Sequence, residues 1–429
     1  MAFTPESFLS AHGARLRESA IRKMGALLAQ STDLVSFAPG YPAEDLFPWS
    51  DFRAIADELL ASEDGRALQY GATRGYRPLL DTIVELMRQR GIATSVDHVM
   101  VTSGSQQGLD LVGRVLCDPG DVLLMELPSY VGAISAFENI GATLVGVPQE
   151  SDGVDLAALD RILKAQRAAG RRVKAFYTVP NFQNPTGLMV SLSKRRALLE
   201  WAAREDLLII EDDPYRDLYF EDVTTAADTR PIAADDADGR VIYLSSFSKT
   251  LAPGFRTAWL SAPVALAARF ELAKQSSDLC TGAFDQRMIN GACRRGVLDA
   301  HLPRLRAAYQ AKRDVMARAL AAHLGDALEW SLPRGGFFLW TRLPAGVTGE
   351  GLLPIAHKRG VIYVAGDAFF VDGTGAEYIR LAFSGPSHAR IEEGVRRLAG
   401  AIREAQAEAI TVAPSASASA RESARAARS

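Results

Sequence analysis

Between about residues 50 and 295, short apolar runs alternate with longer stretches whose apolar positions recur at helical spacing. Runs at 98–102, 122–125, 143–147, 175–179, 207–210, 241–244 and 258–261 predict strands. Several are apolar throughout, as in strands covered by helices on both faces. Between the strands lie helical patterns. In one, Leu109, Val112, Val115 and Leu116 share a stripe that Asp118-Pro119-Gly120 ends. In another, Ser191 is placed to cap a helix presenting Leu198, Trp201 and Ala202. The alternation predicts an α/β domain with a largely parallel sheet flanked by helices, and such sheets bind ligands outside the carboxyl ends of their strands.

The pattern changes near residue 300. Two long helical stretches, 302–324 and 386–408, flank short strand candidates at 336–343 and 378–383, which predicts a smaller α+β domain. The expected organisation is an N-terminal segment 1–48 joining the small domain, a large domain 49–295, a small domain 296–410 and a tail 411–429. The tail is Ala/Ser/Arg-rich and too poor in large apolar groups to offset its ordering entropy, so it is expected to be disordered.

Composition narrows the function. The 429 residues carry a formal net charge of −3, which gives no basic field for nucleic acid or an anionic membrane. No apolar run approaches the ~18 residues of a membrane helix, and residues 1–30 show no signal-peptide core. The three cysteines lack framework spacing and suit a reducing compartment. The expected location is therefore cytoplasmic. No HExxH or paired CxxC occurs, so no protein-built metal site is expected.

Four stretches carry candidate chemistry, each following a strand or opening a helix. In Ser245-Ser246-Phe247-Ser248-Lys249-Thr250-Leu251-Ala252-Pro253-Gly254-Phe255-Arg256, a lysine after a buried strand loses its proton more readily than an exposed one. Its free amine would attack an aldehyde and hold it as an imine. Ser246, Ser248 and Arg256 would suit a phosphate dianion; a loop with a surface lysine is the other reading. Ser246-x-x-Lys249 also fits the SxxK of penicillin-recognising hydrolases, but Ser277-Asp278-Leu279 and Lys249-Thr250-Leu251 match neither accompanying element. In Asn181-Phe182-Gln183-Asn184-Pro185-Thr186-Gly187, Asn-Pro and Thr-Gly are turn material. In Glu211-Asp212-Asp213-Pro214-Tyr215, three adjacent acids are either a solvated loop or, if buried, include one with a cationic partner. Thr102-Ser103-Gly104-Ser105-Gln106-Gln107-Gly108 joins a strand to a helix and offers free amides to an anion. It has neither a Walker A nor a GxGxxG pattern, which disfavours nucleotide cofactors.

In this order along the chain, the four stretches resemble fold type I aminotransferases of class I/II, which depend on pyridoxal 5′-phosphate. The resemblance spans about residues 10–405 and is nearest to the 2-aminoadipate and kynurenine/2-aminoadipate aminotransferase branch. It implies that Lys249 holds the cofactor as a Schiff base and acts as base and acid. Asp212 would pair with the pyridine nitrogen, and Tyr215 and Asn184 would hydrogen-bond the cofactor's phenolic oxygen. Ser105, the Gln106 amide, Ser246 and Arg256 would hold the phosphate, and Tyr130 would stack on the ring. Tyr70 would reach the phosphate of a partner subunit, making a homodimer the working unit. Arg380 would clamp the substrate α-carboxylate, Gly40 would let the backbone approach it, and Asn184 would also face the substrate. Ser19-Ala20-Ile21-Arg22 resembles the Ser-x-x-Arg of 2-aminoadipate enzymes, whose arginine meets a distal carboxylate. Arg15, Arg17, Arg22 and Lys23 also fit the solvated face of an amphipathic helix.

The implied activity is amino-group transfer in amino-acid metabolism, between glutamate/2-oxoglutarate and 2-aminoadipate, aromatic or branched-chain partners. The same scaffold hosts lyases and decarboxylases. Regulators with an aminotransferase-like domain carry an added DNA reader, for which the pattern beginning near Gly40 leaves no expected room. A ligand-binding protein without catalysis is the remaining alternative, against which Lys249, Asp212, Asn184 and Arg380 all stand.

Overall fold

The structure, a computed structural model, describes residues 3–10, 13–16 and 33–426. Its centre is a sheet of eight strands. They are β1 (Val99–Thr102), β2 (Val122–Leu127), β3 (Thr143–Glu150), β4 (Gly153–Val154), β5 (Val173–Thr178), β6 (Leu208–Asp212), β7 (Val241–Ser246) and β8 (Ala258–Ser261). Their order across the sheet is β1-β8-β7-β6-β5-β2-β3-β4. Strands β3, β2, β5, β6 and β7 run parallel; β8 runs against both β7 and β1, so β1 is aligned with the parallel set. β4, too short to be read from the sequence, is antiparallel to β3.

This topology gathers the carboxyl ends of β1, β2, β5, β6 and β7 at one edge. Each of the four chemical stretches follows one of these ends. Helices cover both faces of the sheet: every residue of the inner strand β7, and of the edge strand β1, is buried. Helix α1 (Ser105–Leu116) packs Leu109, Leu111 and Val112 into the core. Helix α2 (Val131–Asn139) follows β2, and α3 (Leu192–Glu205) opens on Ser191, whose Oγ accepts from the Lys194 N–H at 3.2 Å. Helix α4 (Val264–Ser277) follows β8.

The chain then enters α5 (Val297–Leu324). It starts ahead of the expected residue 302 because Pro303, the usual mark of a first helical turn, here lies inside the helix. Four short strands follow: β9 (Glu329–Trp330), β10 (Phe338–Arg342), β11 (Val364–Ala365) and β12 (Tyr378–Ala382). They form an antiparallel sheet ordered β9-β10-β12-β11. Val35–Ser36 pairs in parallel with Val361–Ile362, which ties the early chain to this part of the molecule. Helix α6 (His388–Ala426) follows the small sheet. Among the described residues no helix is long and apolar enough to cross a membrane.

Candidate active site

A cavity of about 570 Å³ lies at the gathered strand ends. Lys249, Asp212, Tyr215, Asn184, Tyr130, Ser105, Gln106, Ser246, Arg256, Arg380 and Gly40 all line it. Tyr70 does not; its side chain stands 79% exposed to solvent. Ser19 and Arg22 lie outside the described residues.

The order of strands explains the convergence. Asp212 ends β6, and Ser246 ends its neighbour β7, with Lys249 three residues on. Asn184 lies in the loop after β5. That loop is held by Glu126 near the end of β2, whose carboxylate accepts from Thr178 Oγ1 (2.6 Å), the Val179 N–H (3.0 Å) and Gln183 Nε2 (2.6 Å). Glu126 is fully buried, and burial pushes its carboxyl up to about 7 despite these donors. Sequence reading passed over it because an acid near a strand end has no motif.

Lys249 Nζ donates to the Gly40 carbonyl at 3.2 Å and lies 5.8 Å from the centres of the Tyr215 and Phe337 rings. Burial is the main force lowering its ammonium to about 8; Arg380 and Arg256 add repulsion, and Asp212 opposes them. The amine therefore sheds its proton far more easily than a solvated lysine, as a nucleophile and base requires.

Asp212 accepts a hydrogen bond from Tyr177 Oη at 2.9 Å, while its Oδ1 is buried with no partner among the described residues. Burial, aided by Asp213, pushes its carboxyl up to about 7, against the Tyr177 hydrogen bond and Lys249. Tyr177 was missed because its role depends on β5–β6 register: it sits opposite Ile210, two residues before Asp212 on the same face.

The expectation of a cationic partner for the three acids needs correction. Among the described residues, none of Glu211, Asp212 and Asp213 makes a direct ion pair. Glu211 accepts from the N–H groups of Ile232 and Ala233 at 2.8 and 2.9 Å. Asp213 accepts from Asn181 Nδ2 at 2.8 Å and Tyr243 Oη at 3.1 Å, and Arg90 stands behind Tyr243 at 2.9 Å. Strand alternation turns Asp212 away from its two neighbours; neutral donors make the direct contacts, while Arg90, Arg216 and Arg195 act on Asp213, and Lys249 on Asp212, without a direct ion pair.

At the other end of the cavity, Gly104 precedes α1 with φ +86°, and a Cβ there would collide with the Arg256 guanidinium. Ser105 Oγ is buried with no partner among the described residues, and Ser246 Oγ donates to Ser248 Oγ at 2.8 Å. Helix-end amides, hydroxyls and a guanidinium make an anion site. The Gln106 side chain donates to the Gly132 carbonyl at 2.8 Å.

Arg380 is fully buried between the rings of Phe338 (4.5 Å) and Phe369 (5.1 Å). Its Nη1 donates to Asn184 Oδ1 at 2.7 Å and its Nη2 to the Ala38 carbonyl, leaving Nε without a partner among the described residues. Burial lowers its guanidinium to about 10, a strong pull toward an anion. Gly40 lacks a side chain for a packing reason: a Cβ would run into the Phe338 ring.

The residues fit pyridoxal phosphate. An orphaned buried carboxylate oxygen faces the cavity where a protonated ring nitrogen would need an acceptor, and an orphaned hydroxyl marks the anion end. A lysine of lowered basicity lines the same cavity.

Comparison with known proteins agrees. The model of the family described as "Aminotransferase class I and II" matches residues 41–398. The aromatic-amino-acid aminotransferase 1 of Thermococcus litoralis is 39% identical over 400 residues, covering 93% of this chain and 95% of that protein. The 2-aminoadipate transaminase of Thermus thermophilus is 37% identical over 389 residues, covering 91% and 95%. The crystal structure of LysN, an α-aminoadipate aminotransferase of Thermus thermophilus complexed with N-(5′-phosphopyridoxyl)-L-leucine, superposes with a TM-score of 0.86. It is 35% identical, and the match covers 94% of this chain and all (100%) of that one.

Proposed function

The chain belongs to the class I and II aminotransferases and is a pyridoxal 5′-phosphate-dependent transaminase of fold type I; from that premise, we propose that it exchanges the amino group between glutamate/2-oxoglutarate and 2-aminoadipate, aromatic or branched-chain partners. The observation that carries this reading is the meeting of Lys249, Asp212 and Arg380 in one cavity.

When bound, the cofactor supplies an electron-withdrawing ring that takes up charge developing at the substrate Cα. Asp212 would hold a proton on the ring nitrogen, and Tyr177 would orient that carboxylate. Ser105, the Gln106 N–H, Ser246 and Arg256 would hold the phosphate, with Tyr130 against the ring and Tyr215 and Asn184 at its oxygen. Arg380 would grip the substrate carboxylate, its fork held by Asn184 and Ala38. Lys249 Nζ would take the Cα proton as base and return it as acid, which is typically worth roughly 10²–10⁴-fold in rate.

The chain would work as a homodimer with Tyr70 reaching a partner's phosphate; the exposure of Trp49, Leu68 and Tyr70 supports an apolar contact there. The domain limits 1–48, 49–295 and 296–410 belong to the same reading. Arg22, with Ser19 beside it, would meet a distal carboxylate. The similarity to a 2-aminoadipate transaminase supports a dicarboxylic substrate, and the aromatic-amino-acid relative supports a second, apolar class.

The test is a panel of amino donors with 2-oxoglutarate, run on the native protein and on Arg22→Ala. The variant is expected to raise KM for 2-aminoadipate and 2-oxoglutarate by about tenfold or more, the loss of one charge-assisted hydrogen bond. KM for leucine and phenylalanine should stay unchanged. An equal rise for all donors would contradict distal-carboxylate recognition, and no turnover with any donor would contradict the substrate range.

A further inference from the structure

Beside the anion turn, outside the cavity lining, lies a polar cluster that the reaction does not use. Lys274, in the last turn of α4, has a side chain with 0% exposure. Its Nζ donates to Gln107 Oε1 at 2.8 Å and to both oxygens of Asp278 at 2.8 Å. Gln107 Oε1 also accepts the Ser103 N–H at 2.8 Å, and Gln107 Nε2 donates to Asp278 Oδ2 at 2.7 Å. Ser103 Oγ donates to the same Asp278 oxygen at 2.8 Å and lies 3.1 Å from Thr281 Oγ1. Four side chains from two segments, 103–107 and 274–278, thus satisfy one another.

Ser103 is where this cluster meets the site. Its N–H is fixed by Gln107, its hydroxyl by Asp278, and its carbonyl accepts from Arg256 Nη2 at 3.5 Å. The next residue is Gly104, at φ +86°, and after it come Ser105 and Gln106. A turn with a left-handed glycine and a short helix entry has many alternative conformations. Pinning the residue before it from three sides removes most of them. Pairing a buried ammonium with a partly exposed carboxylate is a weak source of stability, since an apolar residue in the ammonium's place often does as well. Supporting shells of this kind instead preorganise a site and reduce the ordering cost of binding.

We propose that Lys274, Gln107 and Asp278 form a positioning latch that holds the Ser103–Gln106 turn ready for the cofactor's phosphate. The proposal rests on the reading of Ser105 and Gln106 as phosphate holders. The latch touches neither cofactor nor substrate; it acts through Ser103.

The test compares two ligands that differ only in the phosphate. Full-length protein is stripped of cofactor and titrated with pyridoxal phosphate and with pyridoxal, as the native chain, Lys274→Met and Asp278→Asn. Lys274→Met is expected to bind pyridoxal phosphate about tenfold or more weakly, the scale of one lost charge-assisted hydrogen bond. Asp278→Asn keeps the shape and should lose about fivefold. Both should bind pyridoxal within about twofold of the native chain, inside the scatter of a surface change. Equal weakening for both ligands would show a merely structural cluster and overturn the proposal, as would unchanged binding of pyridoxal phosphate. If the native chain does not prefer the phosphorylated ligand, the phosphate reading of the turn fails and the latch falls with it. Should Lys274→Met not fold, Asp278→Asn, whose side chain is already 29% exposed, decides the matter alone.

Discussion

Lys249→Ala is expected to lower turnover by about 10⁴-fold, the upper range for a positioned proton-transfer group. It should do so while leaving a folded protein that still binds pyridoxal phosphate. Lys249 makes one hydrogen bond, to the Gly40 carbonyl, and its ammonium is already disfavoured by burial beside Arg380 and Arg256. In the cofactor-free protein, removing it therefore breaks no ion pair and relieves repulsion, so the melting temperature of that form should not fall. The anion turn, Asp212 and Tyr130 remain to hold the cofactor without a covalent bond. Steady-state turnover, the melting temperature and the cofactor retained after dialysis check each part. Retained turnover within tenfold would remove Lys249 from the proton-transfer role.

The second large effect is on Arg380→Ala. Truncating one partner of a buried, hydrogen-bonded charge pair costs about 2–5 kcal/mol, or roughly thirty- to several-thousand-fold in kcat/KM. The loss should be similar for dicarboxylic, aromatic and branched donors, because all share the α-carboxylate. That uniformity separates Arg380 from Arg22, whose removal should discriminate between donors. Arg380→Lys should recover little, since an ammonium cannot reproduce a fork braced by Asn184 and Ala38 between the Phe338 and Phe369 rings. Selective loss with one donor class would place Arg380 at the side-chain end of the substrate instead.

The central sheet was legible because its strands are apolar on both faces and short, and because each chemical stretch directly follows one. Lys249, Asp212 and Asn184 lie one to three positions from a distinctive neighbour, so local strings suffice to find them. What escaped is held by contacts between distant parts of the chain. Lys274 pairs with Gln107 across 167 positions, and Arg380 meets Asn184 across 196. Tyr177 gains its role from the register of two strands, and Phe338 and Phe369 from how the small sheet closes over Arg380. Of the three acids, strand alternation turns Asp212 to the opposite face from Glu211 and Asp213, a separation that adjacency in sequence hides. Gly40 has a second reason to lack a side chain, the Phe338 ring, which no local string reveals.

The most direct test of amino-group transfer is a single half-reaction on the cofactor-loaded protein. L-Glutamate is added without any oxo acid, and the visible band of the lysine-bound cofactor is followed together with products. The account predicts loss of that band with one 2-oxoglutarate released per site, no ammonia and no carbon dioxide, and recovery of the band when an oxo acid is added. A band that stays unchanged across the donor panel, or one that changes with release of carbon dioxide or ammonia, would contradict transamination.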